Sequence, residues 1–191
     1  MPQRHRIPKG YKEHLRKDAQ AELVKRALPG APVFVFLYGI GLLATPLYED
    51  QTAFAVGCGL VMLVAAVARS IISLHIIDAY RRNQPFSMVL FYLCTYALSV
   101  SWGVLCFAVS LWYGTSTAGM LVYLMMCGIA AAASTAYTPR FSLGRNNLLI
   151  LLVPSICVLL VIDDPKAPYI AFATMAYLSY LLLQMRTHYN W

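Results

Sequence analysis

Arg69 is the residue whose type and position most strongly suggest chemistry. It lies inside an apolar stretch that begins near Thr52, and a charge inside a lipid bilayer is costly unless a partner or water compensates it. A rise of about 1.5 Å per residue places Arg69 roughly 25 Å along a helix from Thr52, near one membrane interface. Two interpretations follow: the side chain reaches out to the interface, or it contributes to a polar pocket or a helix–helix contact. Ser73 and Tyr80 share its helix face, whereas Asp78 lies on the opposite face and cannot pair with it.

A stripe of polar and aromatic side chains is the second candidate site. Tyr92, Tyr96 and Ser99 share one helix face of a later apolar stretch. Such groups in apolar surroundings can bind a small, mostly apolar ligand through one or two hydrogen bonds, or they can hold two helices together. The hydroxyls of Ser134 and Thr135 in the next stretch can likewise bond a neighbouring helix or line a small pocket. The predicted ligand-binding residues are Arg69, Tyr92, Tyr96, Ser99, Trp102, Ser134 and Thr135.

Small residues recur at four-residue spacing in the same stretch as these two hydroxyls, at Gly128, Ala132 and Ala136. Small side chains at this spacing let two helix backbones approach closely. We therefore predict that these three residues form a helix-packing face.

Motifs for catalysis or metal binding are missing from the sequence. No HExxH, phosphate-binding glycine loop, Ser-His-Asp set or pair of carboxylates can be identified. The five cysteines lie in apolar runs and form no CxxC pair, which is typical of small buried side chains. His75 stands alone near a span, and a haem would need a second histidine on a facing helix. We therefore expect no catalytic residue, no metal and no cofactor, and we expect that this chain is not an enzyme.

The composition defines the elements that must position these residues. Of 191 residues, 60% are hydrophobic and 12% are charged, against about 45–50% and about 25% in an average soluble domain. This excludes an ordinary soluble enzyme, a disordered chain and a disulfide-stapled module. The chain is predicted to be an all-α polytopic membrane protein, because a bilayer crossing needs about 20 apolar residues. The six predicted transmembrane helices cover about 31–48, 52–68 (continuing as helix to 80), 86–113, 116–137, 143–162 and 168–185.

Basic residues are concentrated on one side of these spans. Residues 1–30 hold eight of the fifteen, and the loops and tail on the same side hold five more. Because positive charge is retained on the cytoplasmic side, both termini are predicted to be cytoplasmic. The predicted organisation is a basic segment over 1–30, a transmembrane domain over 31–185 and the start of a cytoplasmic exit helix over 186–191.

The N-terminal segment is predicted to form an amphipathic helix over 11–28 that lies at the membrane interface. Its apolar residues recur every fourth position, and basic side chains cover the remaining surface. The basic run adjoins an apolar span and lacks interleaved aromatics, so the expected partner is a lipid bilayer and not nucleic acid. The predicted apolar face consists of Tyr11, Leu15, Ala19, Leu23 and Ala27.

Four strings together resemble the N-terminal multi-pass sensory region of bacterial sensor histidine kinases and diguanylate cyclases. They are ARSIISLHIIDAYRRNQPF (68–86), SVSWGVL (99–105), CGIAAAASTAYTPR (127–140) and YLLLQMRTHYNW (180–191). The resemblance extends from about Gln20 to Trp191. It implies a signal-transduction input domain in the bacterial inner membrane, as in two-component systems, that responds to a small hydrophobic ligand or a lipid. It also implies a homodimer, with the signal leaving through Met185 and Arg186 into a cytoplasmic output domain or partner kinase.

The sequence departs from that family pattern because it contains no phosphorylation box, ATP-binding lobe or cyclase motif. The tail carries no Gly or Pro that would end a helix, so the catalytic output is expected to lie outside this chain. Two other functions stay open: a small stand-alone transporter or channel, and an accessory membrane subunit. The spans carry no carboxylate at mid-bilayer depth and no matched pair of broken helices, two features common in transporters.

Overall fold

The computed structural model describes residues 9–82 and 84–189, and this part of the chain consists of helices joined by short loops. Apolar runs favour helices because a helix satisfies its own backbone hydrogen bonds, as a bilayer core demands. Residues 1–8 of the predicted basic segment, residues 190 and 191 of the predicted exit helix, and the side chain of Tyr11 lie outside the described residues. The helices are α1 Lys9–Ala27, α2 Gly30–Ala44, α3 Leu47–Asp50, α4 Thr52–Arg81, α5 Val89–Tyr113, α6 Thr117–Ala136, α7 Phe141–Leu159 and α8 Ala167–Tyr189.

Five helical segments of the described chain are long and apolar enough to cross a membrane: Lys17–Ala44, Thr52–Arg81, Val89–Tyr113, Thr117–Ala136 and Phe141–Leu159. The all-α prediction is confirmed for the described residues. The sixth predicted span, 168–185, does form a helix, α8, but it is not among the five. Tyr169, Tyr177 and Tyr180 lower its hydropathy, so the count of six stays a prediction.

Helix α1 packs on the bundle. The Tyr80 hydroxyl of α4 donates to Asp18 Oδ1 over 2.7 Å, and Arg69 of α4 bonds the Ala27 carbonyl. Because the contacts run in opposite order along the two helices, α1 and α4 are antiparallel. The predicted apolar face is only partly right: Leu23 and Ala27 are buried, whereas Leu15 is 48% exposed. Part of the face that lipid was expected to cover therefore packs on the bundle, and the position of α1 at the membrane interface stays a prediction.

A close helix contact in the core joins α5 and α7. A Cβ added at Gly103 would lie 2.5 Å from the Ile150 carbonyl oxygen, so only glycine fits this crossing. The neighbouring Trp102 is 1% exposed and meets the Phe34 ring of α2 edge-on, with 6.4 Å between ring centroids. These contacts fix α5 at the centre of the bundle.

The two ends of the bundle differ in charge. We call the end that carries the α4–α5 and α6–α7 loops the basic end and the opposite end the acidic end. The acidic end is joined by side-chain hydrogen bonds: the Tyr113 hydroxyl donates to Asp50 Oδ2 over 2.8 Å, and the Thr115 backbone N–H donates to Asp164 Oδ2 over 3.2 Å. Hydrogen bonds from the Thr115 hydroxyl and the Lys166 backbone N–H lower the pKa of the Asp164 carboxyl. The basic end carries Arg81, Arg82, Arg140, Arg145 and Arg186.

Candidate functional site

A cavity of about 590 Å³ lies between α2, α4 and α6, near the point where α1 ends. This volume falls within the range of about 300–1,000 Å³ that is usual for small-molecule sites. Its apolar walls come from Val33, Phe34 and Leu37 of α2 and from Gly128, Ile129 and Ala132 of α6. The cavity is the best candidate site in the described chain because a buried charge also lines it.

That charge is Arg69, which is 1% exposed. Its Nη2 donates to the Ala27 carbonyl oxygen over 2.6 Å, and its Cζ lies 5.6 Å from the centroid of the Phe91 ring. Among the described residues, Nε and Nη1 have no hydrogen-bond partner. Of the two interpretations of Arg69, the burial of the side chain and its bond to Ala27 favour the helix contact over a side chain that reaches out to the interface. A ligand-binding role stays a prediction.

The guanidinium of Arg69 lies where α1 ends and α2 begins. A Cβ on Gly30, the first residue of α2, would lie 3.5 Å from Arg69 Nη2, at ordinary van der Waals distance. Ala27 ends α1, where helix carbonyls lack intrahelical partners and accept a cation well. The end of α1 thus provides the only acceptor for Arg69 in the described chain.

Arg26 is the second cation on the cavity wall. Its side chain is 51% exposed, and its Nε bonds Glu22 Oε1 over 2.8 Å within α1. The described lining contains no Asp or Glu. Arg69 therefore faces the cavity with no carboxylate to balance its charge.

The predicted helix-packing face at Gly128, Ala132 and Ala136 is largely open within the described chain. Gly128 and Ala132 are exposed, and a Cβ added at Gly128 meets no atom of the described chain within 4 Å. All three residues line the cavity. Small residues at this spacing indicate either close packing or open space, and here the second meaning applies because α2 stands back from α6.

The polar stripe on α5 also differs from its predicted ligand-binding role, since it faces α7. Tyr92 accepts a hydrogen bond from Arg140, whose guanidinium carbon lies 4.5 Å from the Tyr92 ring centroid. Asn146 Nδ2 donates to the Tyr96 hydroxyl over 3.5 Å. Contacts of this kind hold helices together, which was the other interpretation of the stripe.

The remaining predicted residues divide between the bundle interior and the cavity. Ser99 accepts from Asn147 Nδ2 across α5 and α7, and Trp102 lies in the core away from the cavity. The Ser134 hydroxyl donates to the Ala131 carbonyl over 2.7 Å, within its own helix. Thr135 lines the cavity. Of the seven predicted ligand-binding residues, the structure brings Arg69 and Thr135 together and leaves the others outside.

Several residues of this arrangement were missed by the sequence predictions. Asn146 and Asn147 are amides in an apolar span, and that polarity was a usable signal for the α5–α7 contact. The roles of the Ala27 carbonyl and Phe91 had no signal, because a backbone acceptor and an apolar ring look the same wherever they occur. Arg26 was read only as part of a basic run.

The segments around the cavity are connected to the last helix at two places. The Tyr177 hydroxyl of α8 donates to the Cys127 carbonyl of α6 over 2.8 Å. At the basic end, a Cβ added at Gly144 would overlap Met185 Cε and lie 3.1 Å from Tyr137 Cβ. Tyr137 also lines the cavity, so Gly144 lies beside both a residue of the cavity wall and the predicted exit residue Met185.

Within the described residues, no group of three or more His, Cys, Asp or Glu side chains could hold a metal ion. The chain matches no protein-family model, no curated protein and no solved structure.

Proposed function

We propose that this chain is a membrane-integral sensory domain whose stimulus is occupancy of the Arg69 cavity. The observation that carries the proposal is a guanidinium that is 1% exposed, lines a cavity of about 590 Å³ and retains two nitrogens without partners in the described chain. A polar group left unpaired at such burial costs about 1–3 kcal/mol, which a purely structural arginine has no reason to retain. A ligand that pairs with it relieves that cost.

The route of the signal follows the hydrogen bond between α6 and α8 and the packing of α8 against Gly144 of α7. Tyr137 belongs both to the cavity wall and to the packing of Gly144 against Met185. A ligand shifts such a contact only if it binds two arrangements of the bundle with different affinity. Movement of α8 then carries the stimulus past Arg186 to a cytoplasmic output domain or a partner kinase.

The proposal includes the setting of the domain. Six crossings in the bacterial inner membrane with both termini in the cytoplasm are supported by the sidedness of the basic residues. A homodimer is proposed because the kinases and cyclases of the resembling family work in pairs. The catalytic step is assigned to the output domain.

Hydrogen exchange in lipid nanodiscs tests whether the cavity and α8 are coupled. In Ala132→Trp, an indole replaces a methyl group on the cavity wall and imitates an occupant. We expect amide exchange over residues 181–189 to change by about fivefold or more, the lower end of usual allosteric coupling. The matched control is Leu124→Trp, on the same helix, 71% exposed and outside the cavity lining.

Unchanged exchange over residues 181–189 in Ala132→Trp, with altered exchange confined to α2 and α6, contradicts the sensory proposal. Solute flux into liposomes that Arg69→Gln abolishes would indicate a transporter or channel instead. A stoichiometric membrane partner that copurifies, with no response of α8, would indicate an accessory subunit.

A further inference from the structure

The Arg69 cavity differs in polarity from two other cavities of the described bundle. Two grooves of about 380 Å³ and 440 Å³ lie on the surface of α5 and α7. Their linings are apolar apart from Cys157, and no charged side chain contributes to them. Lipid chains alone satisfy such surfaces. The Arg69 cavity requires an occupant that also carries polar atoms.

The charge of the site specifies the sign of that occupant. The guanidinium of Arg69 is a cation with hydrogen-bond donors and no acceptor. No carboxylate lines the cavity, Ala27 supplies one neutral carbonyl, and Phe91 supplies a ring face. Buried charges are normally paired, so the missing partner is an anion. Carboxylate and phosphate oxygens are the acceptors that guanidinium binds best.

The shape of the site specifies the rest of the occupant. From Tyr137 to Gly128 the α6 wall extends for about 13 Å at 1.5 Å per residue, and small or apolar residues dominate it. The facing residues Val33 and Phe34 of α2 are apolar as well. Val33 is 46% exposed and Thr135 is also exposed, so the cavity opens toward the surroundings of the bundle, where lipid chains are present.

We propose that the cavity binds an anionic amphiphile, with its carboxylate or phosphate on the guanidinium of Arg69 and its hydrocarbon chain between α2 and α6. The binding itself depends on the cavity alone. Only the step from binding to a signal in α8 rests on the proposed sensory function. The same head-group chemistry is present in a free fatty acid and in an anionic phospholipid, and the experiment separates these two sources.

Equilibrium binding of radiolabelled oleate to the protein in phosphatidylcholine nanodiscs tests the proposal, with empty nanodiscs subtracted. Arg69→Gln should weaken oleate binding by about ten- to hundredfold, the value of a charge-assisted hydrogen bond, whereas Arg69→Lys should retain most of it. Arg81→Gln is the matched control on the same helix, exposed and outside the cavity, and should bind as the wild type does. Oleyl alcohol, which has the same chain without charge, should bind weakly and equally to wild type and Arg69→Gln.

A second arm replaces part of the phosphatidylcholine with phosphatidylglycerol. Displacement of oleate by phosphatidylglycerol in an Arg69-dependent manner assigns the site to a phospholipid phosphate, and failure to displace it assigns the site to a fatty-acid carboxylate. Oleate and phosphatidylglycerol binding that are both insensitive to Arg69→Gln would overturn the proposal. Ala132→Trp supports the location by reducing the binding of either amphiphile.

The two proposals fail separately. If neither amphiphile binds through Arg69 while Ala132→Trp still alters exchange over residues 181–189, the ligand assignment is wrong and the sensory function stands. If an amphiphile binds through Arg69 and exchange over residues 181–189 does not respond to it, the ligand assignment stands and the sensory function is wrong.

Discussion

Arg69 shows how far a single residue can be interpreted from sequence. Its charge within an apolar run identified it as exceptional, and its distance along the helix placed it near an interface. Sequence could not decide between exposure and burial, because this depends on where α1 ends. The Ala27 carbonyl and the Phe91 ring come from elsewhere in the chain, at positions that no local pattern relates to Arg69.

The unpaired nitrogens of Arg69 lead to a prediction about stability. In the absence of anionic amphiphile, Arg69→Met should raise the free energy of unfolding by about 1–3 kcal/mol, because the buried guanidinium lacks acceptors. Reversible unfolding in mixed micelles, followed by circular dichroism, measures this. Arg81→Met, at an exposed position of the same helix, should change the free energy by less than about 0.5 kcal/mol. Marked destabilisation by Arg69→Met would mean that the folded protein already satisfies the guanidinium.

At the scale of helices, the sequence predicted the position and length of most elements and predicted their contacts poorly. Long apolar runs and the prolines and charged residues between them mark helix bounds, so the predicted spans lie within a few residues of α4, α5, α6 and α7. The periodicity of Tyr92, Tyr96 and Ser99 correctly identified one face of α5. It could not identify the helix opposite that face, because the Asn146 and Asn147 partners are about 50 residues away in sequence.

The crossing of α5 and α7 at Gly103 gives a prediction for a helix contact. Gly103→Ala should destabilise the protein by about 1–3 kcal/mol, because the added Cβ would lie 2.5 Å from the Ile150 carbonyl oxygen and the backbones must separate. The matched control is Gly57→Ala in α4, where nothing in the described chain lies within 4 Å of the added Cβ. That variant should be neutral or stabilised by up to about 1 kcal/mol, because alanine favours helix over glycine. Equal unfolding free energies for the two variants would show that α5 and α7 are not in contact at this point.

For the whole molecule, charge distribution is the property that sequence reveals best, because it needs no knowledge of packing. Thirteen of the fifteen basic residues fall in segments predicted to lie on one side. The basic and acidic ends of the described chain agree with that division. Successive spans run in opposite directions, so every second loop lies at the same end. The cavity itself could not be predicted, because the same small residues on α6 are compatible with a helix pressed against them or held away.

Lysine labelling tests the predicted orientation of the whole chain. Lys166 is exposed in the loop between α7 and α8, and the other lysines all precede α2. A membrane-impermeant amine reagent applied to intact cells should modify Lys166 alone, and Lys166→Arg should remove the signal. Permeabilised cells should show labelling of the α1 lysines as well. Labelling of α1 and not of Lys166 in intact cells would reverse the orientation.

The hydrogen bonds that join the loops at the acidic end have a mechanical consequence. Asp164 is tied to Thr115 and Asp50 to Tyr113, so the start of α8 lies beside a fixed pivot. With 23 residues, α8 is a lever about 33 Å long. Over that length, a tilt of about 2° around the pivot displaces the far end of α8 by about 1 Å. Rearrangements too small to break a helix contact near the pivot are therefore amplified at Tyr189.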